Sequence, residues 1–315
     1  MLNPIHLHTL QAVLRTGSFA DAARQLGYTG SAVSQQMSAL ERQVRAPLFE
    51  RGAHGVRPTP TAEFIARRSL EALGSLRALE DDVALLLDGV VGRLRLGSFP
   101  TASEHLLPRA LSAFTADHPQ VDVQLDEGEP AELLPMMESH ELDVVLVYHY
   151  GLVPRRWPKG LCAERLLTED LLLLTPADRP LIADGDGAGP SIELLAKETW
   201  ITTRPGTSAA SMLRRLCAAA GFEPLVAYRS NNYAVLRGLV AAGLGVAVVP
   251  ALGYAPAPGV TCTPLAHPDA YRQVVALRSP GAIDGVWHTM LTALHTSARE
   301  VAANGIGITA TSATA

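Results

Sequence analysis

Hydrophobic positions fall into three textures along the chain. Over residues 1–58 they recur at helical spacing in short runs. Leu7, Leu10, Val13 and Leu14 share one face of a helix predicted over His6–Arg15, and Gly17 ends it. Ser18 is placed to cap a second helix running to Leu26, with Phe19, Ala22, Ala23 and Leu26 inward and Gly27 closing it. Thr29 is placed to cap a third, from about Gly30 to Arg45, whose buried stripe is Val33, Met37, Leu40 and Val44. Two helices joined by a short glycine-bearing turn make a helix-turn-helix. The runs 48–51 and 56–58 flank Gly52-Ala53-His54-Gly55, which predicts a small hairpin, or wing.

The second texture is one long helix over residues 60–88, with Pro60 acceptable in its first turn. Ile65, Leu73, Leu76, Val83 and Leu87 recur at near-heptad spacing, and Leu70, Leu79 and Leu86 widen the stripe. Such a helix is about 42 Å long at 1.5 Å per residue. Its apolar face predicts packing against a second copy.

From Gly92 the pattern alternates. Strand-like runs at 93–97, 121–126 and 143–147 are separated by helical patterns at 105–117 and 130–140. A second set has strands at 171–175, 199–202, 226–228 and 246–249, with helices near 191–196, 207–220 and 231–242. This implies largely parallel sheets with βαβ crossovers. Two such sets imply two subdomains flanking a cleft, about 91–163 with 267–302 and about 164–266. The strand 271–277 and the helix 284–302 return to the first. The tail 303–315 is small and Thr/Ala-rich, and disorder is expected there.

Composition narrows the class. At 48% hydrophobic and 18% charged, 315 residues fill sizeable cores, which excludes a disordered or fibrous chain. No apolar run reaches the roughly 18 residues that span a membrane. No basic-then-apolar leader opens the chain, so a cytoplasmic protein is expected. Charge is uneven. Residues 1–58 set six arginines against Asp21, Glu41 and Glu50, a surplus of +3, which leaves −8 for the remainder of a chain whose total is −5. Only the head is suited to meet a polyanion. Cys162, Cys217 and Cys262 are too far apart for a CxxC site or a disulfide framework. No GxSxG elbow, HExxH, P-loop or GxGxxG following a strand is present, and Gly243-Leu244-Gly245 precedes a strand. No catalytic residue, metal ligand or cofactor is assigned. The competing class is a small-molecule-binding protein or enzyme on a two-subdomain α/β body, with the head as an interaction module.

The run from Gly17 to Thr59 resembles the LysR-type transcriptional regulators. The resemblance is carried by Gly17-Ser18-Phe19, Ala22-Ala23-Arg24-Gln25-Leu26, Ala32-Val33-Ser34-Gln35-Gln36-Met37, Leu40-Glu41, Pro47-Leu48-Phe49-Glu50-Arg51 and Val56-Arg57-Pro58-Thr59. It continues through Leu106-Leu107-Pro108, Glu141 to Leu146 and Ala242 to Pro250. It implies a winged helix-turn-helix DNA-binding domain over 1–58, a dimerising linker helix over 59–90, and an effector-binding domain of periplasmic-binding-protein type over 91–302. It further implies a homodimer or homotetramer on double-stranded DNA, with RNA polymerase a partner if the protein activates.

Small polar residues off the apolar stripe suit a helix entering the major groove, which selects Thr29, Gly30, Ser31, Ser34, Gln35 and Ser38. Gln35 is able to read adenine in bidentate fashion. Arg51 and Arg57 would neutralise phosphates, and His54 stands at the wing tip. Many members carry Arg where this chain has Gln35 and His54, and Gln where it has Gly30. In the body, Ser98 to Ser103 is expected as a loop running into a helix that starts near Glu104, where N–H groups favour an anion. By resemblance Ser98, Thr101 and Ser103 line an effector cleft with Tyr148, His149, Thr202, Thr203 and Asn231. A small polar effector with a carboxylate or similar acceptor is expected.

Overall fold

A computed structural model describes residues 1–52, 55–87, 92–158, 160–179, 191–278 and 284–311. The chain divides into two compact units, Met1–Arg93 with Pro135–Leu142 and Leu94–Leu134 with Asp143–Ala315.

The head opens with α1 (Pro4–Thr16), α2 (Phe19–Leu26) and α3 (Gly30–Val44). The caps stand where the sequence places them: Ser18 accepts from the Asp21 N–H and Thr29 from the Ala32 N–H. Gly17 and Gly27 end their helices at φ 70° and 69°, a left-handed backbone that glycine adopts without steric cost. Leu10, Met37, Leu40 and Leu48 form one buried cluster, and Val13, Ala22, Ala23 and Val33 another. Phe19 meets Phe49 edge-on at 5.2 Å. The antiparallel hairpin β1 (Phe49–Gly52) and β2 (Gly55–Pro58) pairs Glu50 with Arg57. It is anchored where the Leu48 N–H donates to Glu41 Oε1 at 2.8 Å and the Thr59 hydroxyl to the Pro47 carbonyl at 2.9 Å.

The linker helix α4 (Pro60–Leu87) corrects the expected stripe at one end. Leu73 is buried in the head's own cluster, with Ala62 and Ala66, so it serves that core. Leu76, Leu79 and Val83 remain 42%, 59% and 50% exposed. The side chains of Leu86 and Leu87 lie outside the described residues.

The body is built on one mixed sheet. In chain order its elements are β3 (Gly92–Ser98), α5 (Pro100–His105), α6 (Leu107–Asp117), β4 (Val121–Glu127), α7 (Pro130–Glu138), β5 (Val144–Tyr150) and β6 (Cys162–Pro176). They continue with β7 (Thr199–Thr202), α8 (Ser208–Ala219), β8 (Leu225–Arg229), α9 (Tyr233–Ala241), β9 (Val246–Pro250), β10 (Val260–Pro264), β11 (Tyr271–Arg278), α10 (Asp284–Asn304) and β12 (Ile308–Ala310). Single 3-10 turns stand at Ile192–Leu195 and Ala251–Gly253. The strand order is β4-β3-β5-β11-β6-β9-β7-β8, with β10 and β12 also paired to β6.

Three expectations change. The sheet is parallel only within each set, β3 with β5 and β7 with β8 and β9. The joining strands β6 and β11 run antiparallel to each other and to their neighbours, because both cross from one set to the other. The helix expected to start near Glu104 begins at Pro100, so Thr101 and Ser103 lie inside α5. The tail is ordered where disorder was expected: α10 continues to Asn304, and β12 pairs Ile308 with Glu169 and Ala310 with Leu167. Residues 312–315 lie outside the described ones. No described helix is long and apolar enough to cross a membrane.

Candidate DNA interface and effector site

The outer face of α3 is polar because its apolar positions are spent on the core. Val33, Met37 and Leu40 are buried, while Thr29, Gly30, Ser31, Gln35 and Ser38 are exposed and Ser34 is half-buried. Two neighbouring glutamines are sorted by packing. Gln36 turns inward, where the Thr9 hydroxyl of α1 lies 2.6 Å from its Oε1, and Gln35 is left outward. Ser34, Gln35 and Ser38 border an open groove of about 500 Å³ together with His6 of α1 and Arg42. His6 and Arg42 were not singled out from sequence, since only the packing of α1 against α3 brings His6 alongside. Ser31 is tied to Thr29 at 3.0 Å between hydroxyl oxygens, so its first role is local. Arg57 is exposed on β2. His54 and the side chain of Arg51 lie outside the described residues.

In the body seven of the eight expected effector residues fall into two groups. The first surrounds a fully buried ion pair. Arg272 on β11 faces Glu169 on β6 in register, at 1% and 0% exposure, and its Nε donates to Glu169 Oε1. Arg272 Nη2 donates to Thr101 Oγ1 at 2.8 Å, and the Leu252 N–H donates to Glu169 Oε2 at 2.6 Å. The guanidinium lies 5.0 Å from the Phe99 ring centre and 4.9 Å from that of Tyr148, within cation–π range. Burial raises the Glu169 carboxyl above its ordinary value, and Arg272 opposes that rise. Burial would lower Arg272, but Glu169 and the nearby phenols hold it firmly protonated. The Tyr148 hydroxyl donates to Glu129, and burial with that carboxylate raises the phenol. Ser98 is fully buried, and Ser103 Oγ is buried without a hydrogen-bond partner.

The second group sits at and beyond the ends of β7 and β8. Thr202 and Thr203 are buried, the Thr203 hydroxyl lies 2.6 Å from that of Thr207, and the Arg204 N–H donates to Asn231 Oδ1 at 3.0 Å. Asn232, one residue on, is the cap of α9, accepting from the Ala234 N–H at 2.8 Å. His149 stands apart, its Nε2 3.1 Å from Gln273 Oε1. Among the described residues no hydrogen bond joins Thr101 or Tyr148 to Thr202, Thr203 or Asn231. Arg272 and Glu169 were missed from sequence because nothing local marks two charged residues 103 positions apart as partners. Among the described residues no group of three or more His, Cys, Asp or Glu is placed to hold a metal. Burial pushes the Cys217 thiol up to about 12, which leaves it unreactive.

Comparison with known proteins covers the whole architecture. Residues 5–63 match the model of the bacterial regulatory helix-turn-helix protein, lysR family, and residues 87–299 match that of the LysR substrate binding domain. The chain is 29% identical over 281 residues to the HTH-type transcriptional regulator GalR of Pseudomonas putida, spanning 88% of this chain and 69% of the relative. It is 31% identical over 252 residues to the HTH-type transcriptional regulator CbbR of Sinorhizobium medicae, spanning 78% and 76%. Among solved structures, a full-length OxyR variant from Pseudomonas aeruginosa superposes with TM-score 0.61 at 21% identity, covering 93% of this chain and 95% of that one. Full-length CbnR in complex with its target DNA superposes with TM-score 0.60 at 20% identity, covering 94% and 99%.

Proposed function

Because the chain belongs to the LysR family of DNA-binding transcriptional regulators, we propose that Gln35 is its principal base reader and Arg57 its phosphate anchor. The observation that carries this is the sorting of the two glutamines: Thr9 holds Gln36 inward, so Gln35 alone of the pair has its amide free on the polar face of α3. An amide there can make two hydrogen bonds to one adenine, whereas a wing guanidinium meets phosphate without reading sequence. Thr29, Gly30, Ser31, Ser34, Ser38, Arg51 and His54 complete the proposed interface. We further propose that a small polar effector controls the grip through the body, drawing on Ser98, Thr101, Ser103, Tyr148, His149, Thr202, Thr203 and Asn231. The unpartnered Ser103 hydroxyl supports that assignment, since a buried hydroxyl without a partner costs about 1–3 kcal/mol until something bonds it.

The test uses an operator duplex recovered by selection from genomic fragments, set against random duplex across a salt series. Gln35→Ala is expected to cost about 1–3 kcal/mol on the operator and little on random DNA. Arg57→Ala is expected to weaken both alike and to lower the salt slope by about one for each phosphate left unneutralised. Equal losses on both duplexes for Gln35→Ala would make it a backbone contact and defeat the assignment.

A further inference from the structure

Behind the buried ion pair lies a cavity of about 430 Å³, separate from the residues assigned to the effector. It is formed where the start of α6, the 3-10 turn after β9, the end of α10 and the chain leading into β12 meet. Its size falls within the range of small-molecule sites. Its inner surface is apolar: Ala251 and Leu252 are 6% and 2% exposed, and Ile308 sits beside them on β12. At its mouth Ile306 is 58% exposed, a large aliphatic side chain left facing water.

The rim is charged, and unequally so. Glu104, Glu300 and Arg109 border it with His105. The Arg109 guanidinium is taken by Glu300. Among the described residues Glu104 faces the ring of His105, its Oε2 3.7 Å from Nε2, with 72% of its own side chain exposed. Arg109 is paired with Glu300, which leaves the Glu104 carboxylate on the rim without an arginine partner among the described residues. An anion would meet the Glu104 carboxylate and find Arg109 already engaged. A cation with a compact apolar body satisfies both features at once.

We propose that this cavity is a second ligand site, for a small amine with an aromatic or branched aliphatic body. Its position gives it a route to the ion pair. Leu252 lines the cavity and donates its N–H to Glu169 Oε2, so it touches the site and the carboxylate at once. An occupant pressing on Leu252 therefore acts on the carboxylate that holds Arg272. This coupling rests on the effector reading above, whereas binding itself does not.

The probe is benzylamine, titrated calorimetrically into the full chain at pH 7.5, with benzyl alcohol and benzoate as isosteric controls. A Kd on the order of 1 mM is expected for so small a ligand, with weaker binding of the alcohol and none of benzoate. Glu104→Gln should weaken benzylamine about two- to fivefold, the range of an exposed ion pair. Ile306→Trp, a change at an exposed side chain, should fill the mouth and abolish binding while operator affinity is kept. No benzylamine binding up to about 10 mM, ten times the expected Kd, would overturn the site. So would benzoate binding as tightly, or binding untouched by Ile306→Trp. Benzylamine binding that leaves operator affinity and footprint unchanged would overturn the coupling and leave the site standing.

Discussion

Replacing Arg272 with methionine would leave Glu169 buried without its cation. The replacement keeps an extended aliphatic stem, so the loss is chiefly electrostatic. Removing one partner of a buried ion pair typically costs about 3–5 kcal/mol, because the survivor stays desolvated. Among the hydrogen bonds of the described residues, the survivor would keep that from the Leu252 N–H. With a urea m-value of about 3 kcal/mol per M for a unit of this size, the midpoint should fall by roughly 1–1.7 M. Trp157, Trp200 and Trp287 all lie in the body unit, so tryptophan emission reports this transition without the head. The deficit should also depend on pH in a definite direction. Burial raises Glu169 in the folded state, and without Arg272 the main opposition to that rise is gone. A carboxyl raised on folding binds its proton more tightly in the native state, so stability is kept at low pH. It is lost as pH climbs from the ordinary glutamate range through the raised value. Arg272→Met should therefore be much closer to wild type at about pH 5 than at about pH 8. Adding Glu169→Leu should recover most of the loss, since apolar replacement of both partners is often neutral or better. A cost below about 1 kcal/mol at the higher pH, or a double variant weaker than the single one, would refute the reasoning.

Two further outcomes are expected. Gly27→Ala places a Cβ at φ 69°, in open space but in the left-handed region, and should cost the head about 1–2 kcal/mol, seen as a lowered first transition in calorimetry of the full chain. Leu76→Glu charges the exposed stripe of α4 and should yield monomers by light scattering that no longer hold a two-half-site operator; an intact oligomer would defeat the claim that this stripe packs on a second copy.

The head was legible because its information is local. Each cap lies within three residues of the N–H it serves, as Ser18 does for Asp21 and Thr29 for Ala32, and each closing glycine stands within three residues of the last apolar position. The body was legible in its alternation and obscure where the chain crosses. In β6 the buried run Leu171–Leu174 stands out, but upstream Glu164, Arg165, Glu169 and Asp170 break the apolar pattern, which hides a strand of 15 residues. The same holds for β12. The three residues after Gly307 are too short a run to signal a strand of their own and are ordered along β6, where the Asp170 N–H donates to the Gly307 carbonyl at 2.7 Å. Thr101 and Tyr148 were singled out by position after strands. What they touch, a guanidinium supplied from β11, follows from the antiparallel return of that strand and is invisible to spacing.

That return brings a charged pair together in the buried interior. Arg272 and Glu169 are opposite residues on the two strands that cross between the sets. Each reaches outward to a different set: Arg272 to Thr101 at the start of α5, and Glu169 to the Leu252 N–H in the turn that follows β9. An apolar pair at these positions would tolerate a small rotation with little change in free energy, because dispersion and burial are not directional. Hydrogen bonds in a low-dielectric interior are directional, and leaving one buried donor unmade costs about 1–3 kcal/mol. A rotation of one set against the other that stretches either bond therefore incurs a discrete cost. A ligand hydroxyl or carboxylate that replaces the missing partner removes it. If an effector controls the protein as proposed, a rotation that breaks either bond would separate two bonded arrangements by that discrete cost.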